Sequence, residues 1–356
     1  MFTDEAKIKL LMEALSIYSP TGAEHYFAEF LRELLIMNGF DAKIDGVGNV
    51  IAVRGEGGPV LWLHAHMDTV PGFIDVKREG DKIIGRGASD DKGPLMAMTI
   101  AFMESDLPRG TLVLTAVVHE EGDSLGTANL INGNHVPRPS GIIVGEPTGI
   151  NRVVTKYRGS AKIEVVIRTR GGHASNPDFA SNAILMAMDV YDKLRNYLKV
   201  GVNYEDFLAT PTIMNCGEAE NMIPSNCRLV IDVRIPPGKS CNDVRSAVAA
   251  LSNEFNNAHV GIKWCVEPVE VPVNNPTVRA VSRAIIKVLG ERPVLARKWG
   301  TSDMNELVKL TRNLVAYGPG EGILSHSLEE YILIEDYLRA VEVYKQAIRE
   351  FMNIYG

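Results

Sequence analysis

The stretch Val60-Leu61-Trp62-Leu63-His64-Ala65-His66-Met67-Asp68 is an apolar run that ends in two histidines and a carboxylate. Two further stretches repeat the arrangement. Leu112–Val118 runs into His119-Glu120-Glu121, and Gly141–Val144 runs into Gly145-Glu146-Pro147-Thr148. Each run is short and continuously apolar, as a strand buried on both faces by helices reads. In open α/β sheets, sites form in the crevice beyond the carboxyl ends of the strands. Side chains from three separate strand ends can therefore converge there. Upstream, helical spacing covers 4–17 and 22–38, interrupted by Ser19-Pro20-Thr21-Gly22.

Between about 158 and 266 the rhythm changes. The pattern predicts strand Ala161–Thr169, helix Asn182–Tyr197, strands Thr212–Cys216 and Arg228–Arg234, helix Asn242–Phe255 and strand Val260–Val266. That βαββαβ order is the ferredoxin-like unit. It predicts a small domain at 158–266 inserted into a larger α/β domain made of 1–157 and 267–356. After Pro268 and Pro272 the α/β pattern returns, with a helix at 276–289, a strand at Asn313–Tyr317 and a long amphipathic helix over Ile334–Met352.

The 356 residues suit two domains better than one core. A net charge of −7 without a basic block argues against a nucleic-acid partner. No run approaches the ~20 apolar residues of a membrane span, and the acidic, amphipathic N-terminus lacks the features of a signal peptide. The four cysteines, Cys216, Cys227, Cys241 and Cys265, are scattered without a CxxC pair. That spacing predicts a reducing compartment, hence a cytoplasmic protein, and no cysteine metal site.

The acid and histidine tips suggest metal chemistry. In an extended segment residues two apart point the same way, so the Asp68 carboxylate can hold one nitrogen of His66 while the other binds a metal. Glu120 and Glu121, adjacent, point apart; one can bind metal while the other acts as general base. Asp90, in the turn-rich Gly85-Arg86-Gly87-Ala88-Ser89-Asp90-Asp91-Lys92-Gly93, and His326, after the glycine-rich Gly318-Pro319-Gly320, are further candidates. Asp68, Asp90, Glu120, Glu121 and Glu146 would repel one another in a crevice; two divalent cations nearly balance them. Mixed imidazole and carboxylate donors suit zinc, with cobalt or manganese fitting the same geometry. His64 and His119 read as residues packed near the strand ends, Asp91 as a turn or helix-start carboxylate and Lys92 as a solvated charge. Taken singly, any of these is as easily a surface or capping residue. A serine or cysteine hydrolase fits poorly, since no GxSxG elbow is present.

His66-Met67-Asp68-Thr69-Val70-Pro71, Gly85-Arg86-Gly87 with Asp90-Asp91-Lys92-Gly93, Glu120-Glu121, Gly145-Glu146-Pro147-Thr148 and the late His326 together resemble the M20 metallopeptidases. That family includes acetylornithine deacetylase, succinyl-diaminopimelate desuccinylase, aminoacylases and glutamate carboxypeptidase. The resemblance spans essentially the whole chain. It implies a di-zinc aminopeptidase-like catalytic domain with helices on both sides of a mixed sheet, and a ferredoxin-like lid that carries substrate contacts and a homodimer interface. It implies two Zn2+ ions, with Co2+ as a substitute. His66 and Glu146 would hold one, Glu121 and His326 the other, and Asp90 would bridge them. Asp68 would orient His66, and Glu120 would be the base that activates water for amide hydrolysis.

In the lid, Gly171-Gly172-His173-Ala174-Ser175 resembles the motif whose histidine polarises the substrate carbonyl, often across the dimer. Asn221, in Glu220-Asn221-Met222-Ile223-Pro224, and Arg234 resemble residues that grip substrate; for Arg234 a strand-end salt bridge is the alternative. Glu120–Ala128, Lys156-Tyr157-Arg158-Gly159 and Trp299-Gly300-Thr301-Ser302-Asp303-Met304-Asn305 resemble the branch that releases lysine or ornithine from the γ-carboxyl of the C-terminal glutamate of a small acidic amino-group carrier protein. Lys156, Arg158, Arg297 and Lys298 could face such a carrier, or could be ordinary surface charge. Deacylation of acetylornithine or succinyl-diaminopimelate, dipeptide cleavage, and a metal-binding protein without catalysis are the competing readings.

Overall fold

The computed structural model describes residues 1–134, 136–175 and 182–355. They form two units: residues 1–155, 271–297 and 302–356 make the first, and residues 156–270 and 298–301 the second.

The first unit is built on a mixed sheet. Its strands lie in the order Ala42–Ile44, Val50–Glu56, Gly110–Val117, Val60–His66, Gly141–Val144, Leu314–Ala316 and Arg152–Tyr157. The middle four run parallel, with Val60–His66 between Gly110–Val117 and Gly141–Val144, and Leu314–Ala316 beyond. The outer strands pair antiparallel. Both faces of the central strands are buried, which explains their unbroken apolar sequences. Leu61, Leu63, Leu112 and Leu114 join the core made with helices Asp4–Ser16, His25–Met37, Lys92–Glu104, Pro276–Leu289 and Ile334–Ile354. On the opposite face Trp62 and Val113 are equally buried, and the Trp62 indole donates to the Pro137 carbonyl.

Helix Lys92–Glu104 is buried from Lys92 to Phe102, so its apolar residues show no helical stripe. Helix Pro276–Leu289 starts where the sequence suggests. Asn275 accepts from the amides of Thr277 and Val278, and Pro276 fills the first turn, where its missing N–H costs nothing. The chain closes on helix Ile334–Ile354.

The second unit has the predicted βαββαβ order: Gly159–Arg168, Ala183–Leu198, Leu208–Cys216, Asn226–Ile235, Cys241–Glu254 and Ala258–Val266. Its four strands form an antiparallel sheet in which Asn226–Ile235 and Gly159–Arg168 are central. Alternate residues (Ala161, Ile163, Val165 and Ile167 on one strand, Leu229, Ile231 and Val233 on the next) form its core with Val190, Leu194, Val244 and Leu251 of the helices. Residues 298–301, which the sequence pattern grouped with the larger domain, belong to this unit.

The cysteine expectation needs correction. All four are paired, Cys216 with Cys227 and Cys241 with Cys265. Cys216 and Cys227 lie directly opposite each other on neighbouring strands, and Cys241 opens a helix whose partner Cys265 lies in the last strand. Proximity in the sheet, invisible as linear spacing, brings them together. The scattered spacing therefore gives no evidence of a reducing compartment. Among the described residues no helix is long and apolar enough to cross a membrane.

Candidate metal centre

Because the central strands of the first unit are parallel, their carboxyl ends fall on one edge of the sheet. His66 is the last residue of its strand and lies level with Val117 on the next. The turn carrying Glu120 and Glu121 leaves from that level, Glu146 follows Val144, and the loop to His326 follows Ala316. His119 and His326 both take left-handed backbone, with φ of 63° and 65°. Such conformations cost energy for L-residues and cluster at functional turns.

His66 Nε2 is 3.2 Å from Asp90 Oδ1. The other Asp90 oxygen is 3.7 Å from His326 Nε2, which is 2.6 Å from Glu121 Oε1. One ligand atom from each of His66, Asp90 and Glu121 lies within 4.8 Å of the others. Asp90 thus turns one oxygen to each imidazole. Glu146 lies at the end of the neighbouring strand, and its charge acts on Glu120.

The Asp68 carboxylate has partners beyond the imidazole that the sequence assigns to it. His66 Nδ1 is 2.8 Å from the backbone carbonyl of Asp68 and 3.5 Å from its Oδ1. The carboxylate itself accepts the Thr21 hydroxyl at 2.7 Å and the Glu120 and Glu121 amides at 3.0 Å each. Asp68 thus faces the imidazole with both its backbone carbonyl and its carboxylate, and the same carboxylate reaches the next turn. Asp68 therefore fixes the Glu120–Glu121 turn.

The site's charges are strongly perturbed. Burial pushes the Glu120 carboxyl well above its ordinary range; Asp303, Glu146 and Glu121 add to this, against the opposing charge of His66. Burial alone would lower His66, but Asp68, Asp90, Asp91 and Glu120 outweigh it and raise it well above an ordinary histidine. Burial likewise raises Asp91, whose Oδ2 accepts the His66 amide at 3.3 Å. Against burial, the His66 imidazole holds the Asp68 and Asp90 carboxyls below their ordinary range, the part a bound cation would play. With imidazole and carboxylate donors at its centre, the site fits borderline divalent metals such as zinc.

Lys92 is not a solvated charge. It is buried, its Nζ donates to the carbonyls of Ala14 and Ile17, and it lies 4.4 Å from the Phe27 ring centroid. Burial lowers its pKa to about 7. His64 is packed as expected, with Nδ1 2.9 Å from the Thr115 hydroxyl and Nε2 3.0 Å from Asp303. His119 lies 3.1 Å from Asp123. Sequence reasoning missed Glu330, and it quoted Asp303 only within the Trp299–Asn305 stretch, without its contact to His64. Glu330 accepts from the amides of Ser89 and Asp90 and from Arg86. Its only sequence signal is a Glu-Glu pair shortly after His326, and no spacing rule singles it out.

His173, Asn221 and Arg234 belong to the second unit. His173 pairs with Met222 in a short antiparallel ribbon, and the Ala174 amide donates to the Asn221 carbonyl, so His173 and Asn221 lie at the same end of that ribbon. His173 is exposed, its Nδ1 2.7 Å from the Ser175 hydroxyl. Arg234 donates to Asp232 at 2.7 Å, the strand-end salt bridge of the sequence alternatives. Lys156 pairs with Glu270. Arg158 is buried, with its guanidinium 5.0 Å and 4.4 Å from the Tyr204 and Trp299 rings and donating to the Asn203 and Tyr204 carbonyls. A charge used this way is not displayed to a partner.

Parallel strand ends carrying this donor set accompany a family match. Residues 62–350 match peptidase family M20/M25/M40, and the chain belongs to that family of metal-dependent hydrolases. A Pyrobaculum aerophilum protein named "Putative LysW-lysine/LysW-ornithine hydrolase" is 49% identical over 96% of each chain. The LysW-lysine/LysW-ornithine hydrolase of Sulfurisphaera tokodaii is 37% identical, covering 97% of this chain and 95% of its own. Among solved structures, a tripeptidase from Staphylococcus aureus superposes with a TM-score of 0.85 at 22% identity, covering 99% of this chain and 100% of its own. A dinuclear metal-binding M20 peptidase of Bacillus subtilis gives 0.72 at 15%, covering 99% and 98%. At these identities the superpositions speak for the fold alone.

Proposed function

We propose that this chain releases lysine or ornithine from a small acidic amino-group carrier protein by hydrolysing the amide at the γ-carboxyl of the carrier's C-terminal glutamate. The observation that carries this reading is the 49% identity, over nearly the full length, to a protein named for that activity. The cluster of His66, Asp90 and Glu121 supports it with a suitable donor set.

In this reading His66 and Glu146 would hold one zinc ion, Glu121 and His326 would hold the other, and Asp90 would contribute to both; cobalt would serve in their place. When bound, the ions supply Lewis-acid polarisation and lower the pKa of water from 15.7 toward about 7. Glu120 takes a proton from the attacking water and delivers it to the amide nitrogen. The water oxygen bonds the acyl carbon, the C–N bond breaks, and the carrier leaves as a carboxylate and the amino acid as an amine. Asp68 aims Glu120 and Glu121 through their backbone amides. His173 polarises the carbonyl and donates to its developing oxyanion. Asn221 and Arg234 meet the substrate, Arg234 on exchanging its Asp232 pairing for a carboxylate. The second unit also forms the homodimer contact. Recognition of the acidic carrier does not use Arg158, which is committed to Tyr204 and Trp299. A cytoplasmic location is proposed with it; the two disulfides restrict that to organisms whose cytosol tolerates them, as in hyperthermophiles.

The test is intact-mass spectrometry of a carrier–lysine or carrier–ornithine conjugate incubated with the zinc-loaded protein. The expected result is loss of one amino acid and gain of one water. An unchanged conjugate, with metal bound to the protein, would contradict the proposal.

A further inference from the structure

Two of the proposed ligands, Asp90 and His326, come from loops far apart in sequence. One buried pair of residues ties those loops together. Glu330 Oε1 accepts the amides of Ser89 and Asp90, each at 3.0 Å, and Oε2 accepts Arg86 Nη1 at 2.9 Å. Arg86 in turn donates from Nη1 to the Ser327 carbonyl and from Nε to the Gly72 carbonyl, each at 2.9 Å. Glu330 is fully buried and Arg86 nearly so. The Gly85 amide donates to the Glu330 carbonyl at 3.2 Å. Strand Tyr331–Leu333, which follows Glu330, pairs with Lys82–Ile84, which precedes Gly85.

We infer that Glu330 and Arg86 are positioning residues for the metal-binding set, a shared strut that holds the Asp90 loop and the His326 loop at a fixed separation. Neither side chain is among the ligands. Glu330 holds the backbone amide of the residue whose carboxylate lies between His66 and His326. Arg86 holds the carbonyl of the residue next to His326, and through Gly72 a third loop beside Thr69 and Pro71. A buried carboxylate that accepts two backbone amides and a guanidinium loses all three anchors if it retracts. Outer partners that orient metal ligands are worth about 10–100-fold in metal affinity. The inference rests on the reading of Asp90 and His326 as ligands.

The experiment uses Glu330→Asp, which keeps the charge but shortens the reach by one methylene, and Arg86→Lys, which keeps the charge but cannot span Glu330, Ser327 and Gly72 together. Zn2+ and Co2+ affinities are measured by calorimetric titration of the metal-free full-length proteins, together with the visible spectrum of bound Co2+ and thermal unfolding without metal. The expected result is at least about tenfold weaker binding of one ion in each variant and an altered Co2+ spectrum. Wild-type affinities and spectrum in a folded variant, even one with a lowered unfolding temperature, would overturn the inference, because a merely structural pair moves stability alone. If neither variant folds, hydrogen exchange on the metal-free wild type decides. The Ser89 and Asp90 amides should be protected as donors to a buried carboxylate, and exchange at open-loop rates would overturn the strut. Wild-type protein that binds no divalent ion would instead sink the metal-centre reading.

Discussion

Replacing Asp68 with Asn probes the hold of this carboxylate on the Glu120–Glu121 turn. Its carboxylate receives three hydrogen bonds: the Thr21 hydroxyl and Glu121 amide on Oδ2, and the Glu120 amide on Oδ1. Asparagine keeps one acceptor oxygen, so its NH2 must face the N–H of either Glu120 or Glu121. A hydrogen bond to a charged group is worth about 1.5–3 kcal/mol, and a stranded buried donor costs a similar amount. Expressed in the alignment of the proposed base and ligand, that loss corresponds to roughly 10–150-fold in kcat/KM, at about 1.4 kcal/mol per tenfold. Thr21→Val removes one hydroxyl donor that is only partly buried, so water offsets part of its loss, and leaves both amides held; about 1 kcal/mol predicts about fivefold. Both are read as kcat/KM for amine release at saturating zinc, with metal content measured in parallel. Asp68→Asn within threefold of wild type, or Thr21→Val as damaging as Asp68→Asn, would refute the assignment of Asp68 to the Glu120–Glu121 turn.

Glu120→Gln should keep its metal, measured by elemental analysis, and lose about 10²–10⁴-fold in turnover; near-wild-type turnover would remove Glu120 as the base. Lys92 gives a pH prediction: burial lowers it to about 7 in the folded protein, against about 10.4 in an unfolded chain. Between those values the unfolded state binds the extra proton, so this residue makes stability rise with pH across the window and contributes no slope below it. Lys92→Met should flatten that rise in denaturant midpoints taken from pH 7 to 10, and an unchanged slope would count against the buried ammonium. Thiol titration of the denatured, unreduced protein should find no free cysteine, and replacing Cys241 and Cys265 by serine should destabilise the second unit by about 3 kcal/mol for its closed loop; four titratable thiols would contradict the pairing.

How much of this was legible in the sequence depended on whether the signal was local. Val60–His66, Leu112–Val118 and Gly141–Val144 read directly as buried strands because burial on both faces leaves no polar alternation. The βαββαβ order was legible from its turns and periodicity. Side-chain partners beyond a strand end were only partly legible: alternation aimed Asp68 at His66, which its Oδ1 faces at 3.5 Å, and gave no sign of the Glu120 and Glu121 amides on the same carboxylate. Partners distant in sequence were also hidden. Glu330 meets Asp90 and Arg86 only because two loops are brought together by strand pairing, and Cys216 faces Cys227 only through sheet register. A lysine in a charged-looking motif gives no sign that its amine will be turned inward, as Lys92 is.

The most direct test of the central claim is a turnover comparison on the zinc-loaded protein, scored by released amine, among carrier–lysine, carrier–ornithine, acetylornithine and succinyl-diaminopimelate. Release from the carrier conjugates, with little from the small acylated substrates, is the expected result. Release from the small substrates alone would preserve the metal centre and its chemistry and contradict the carrier assignment.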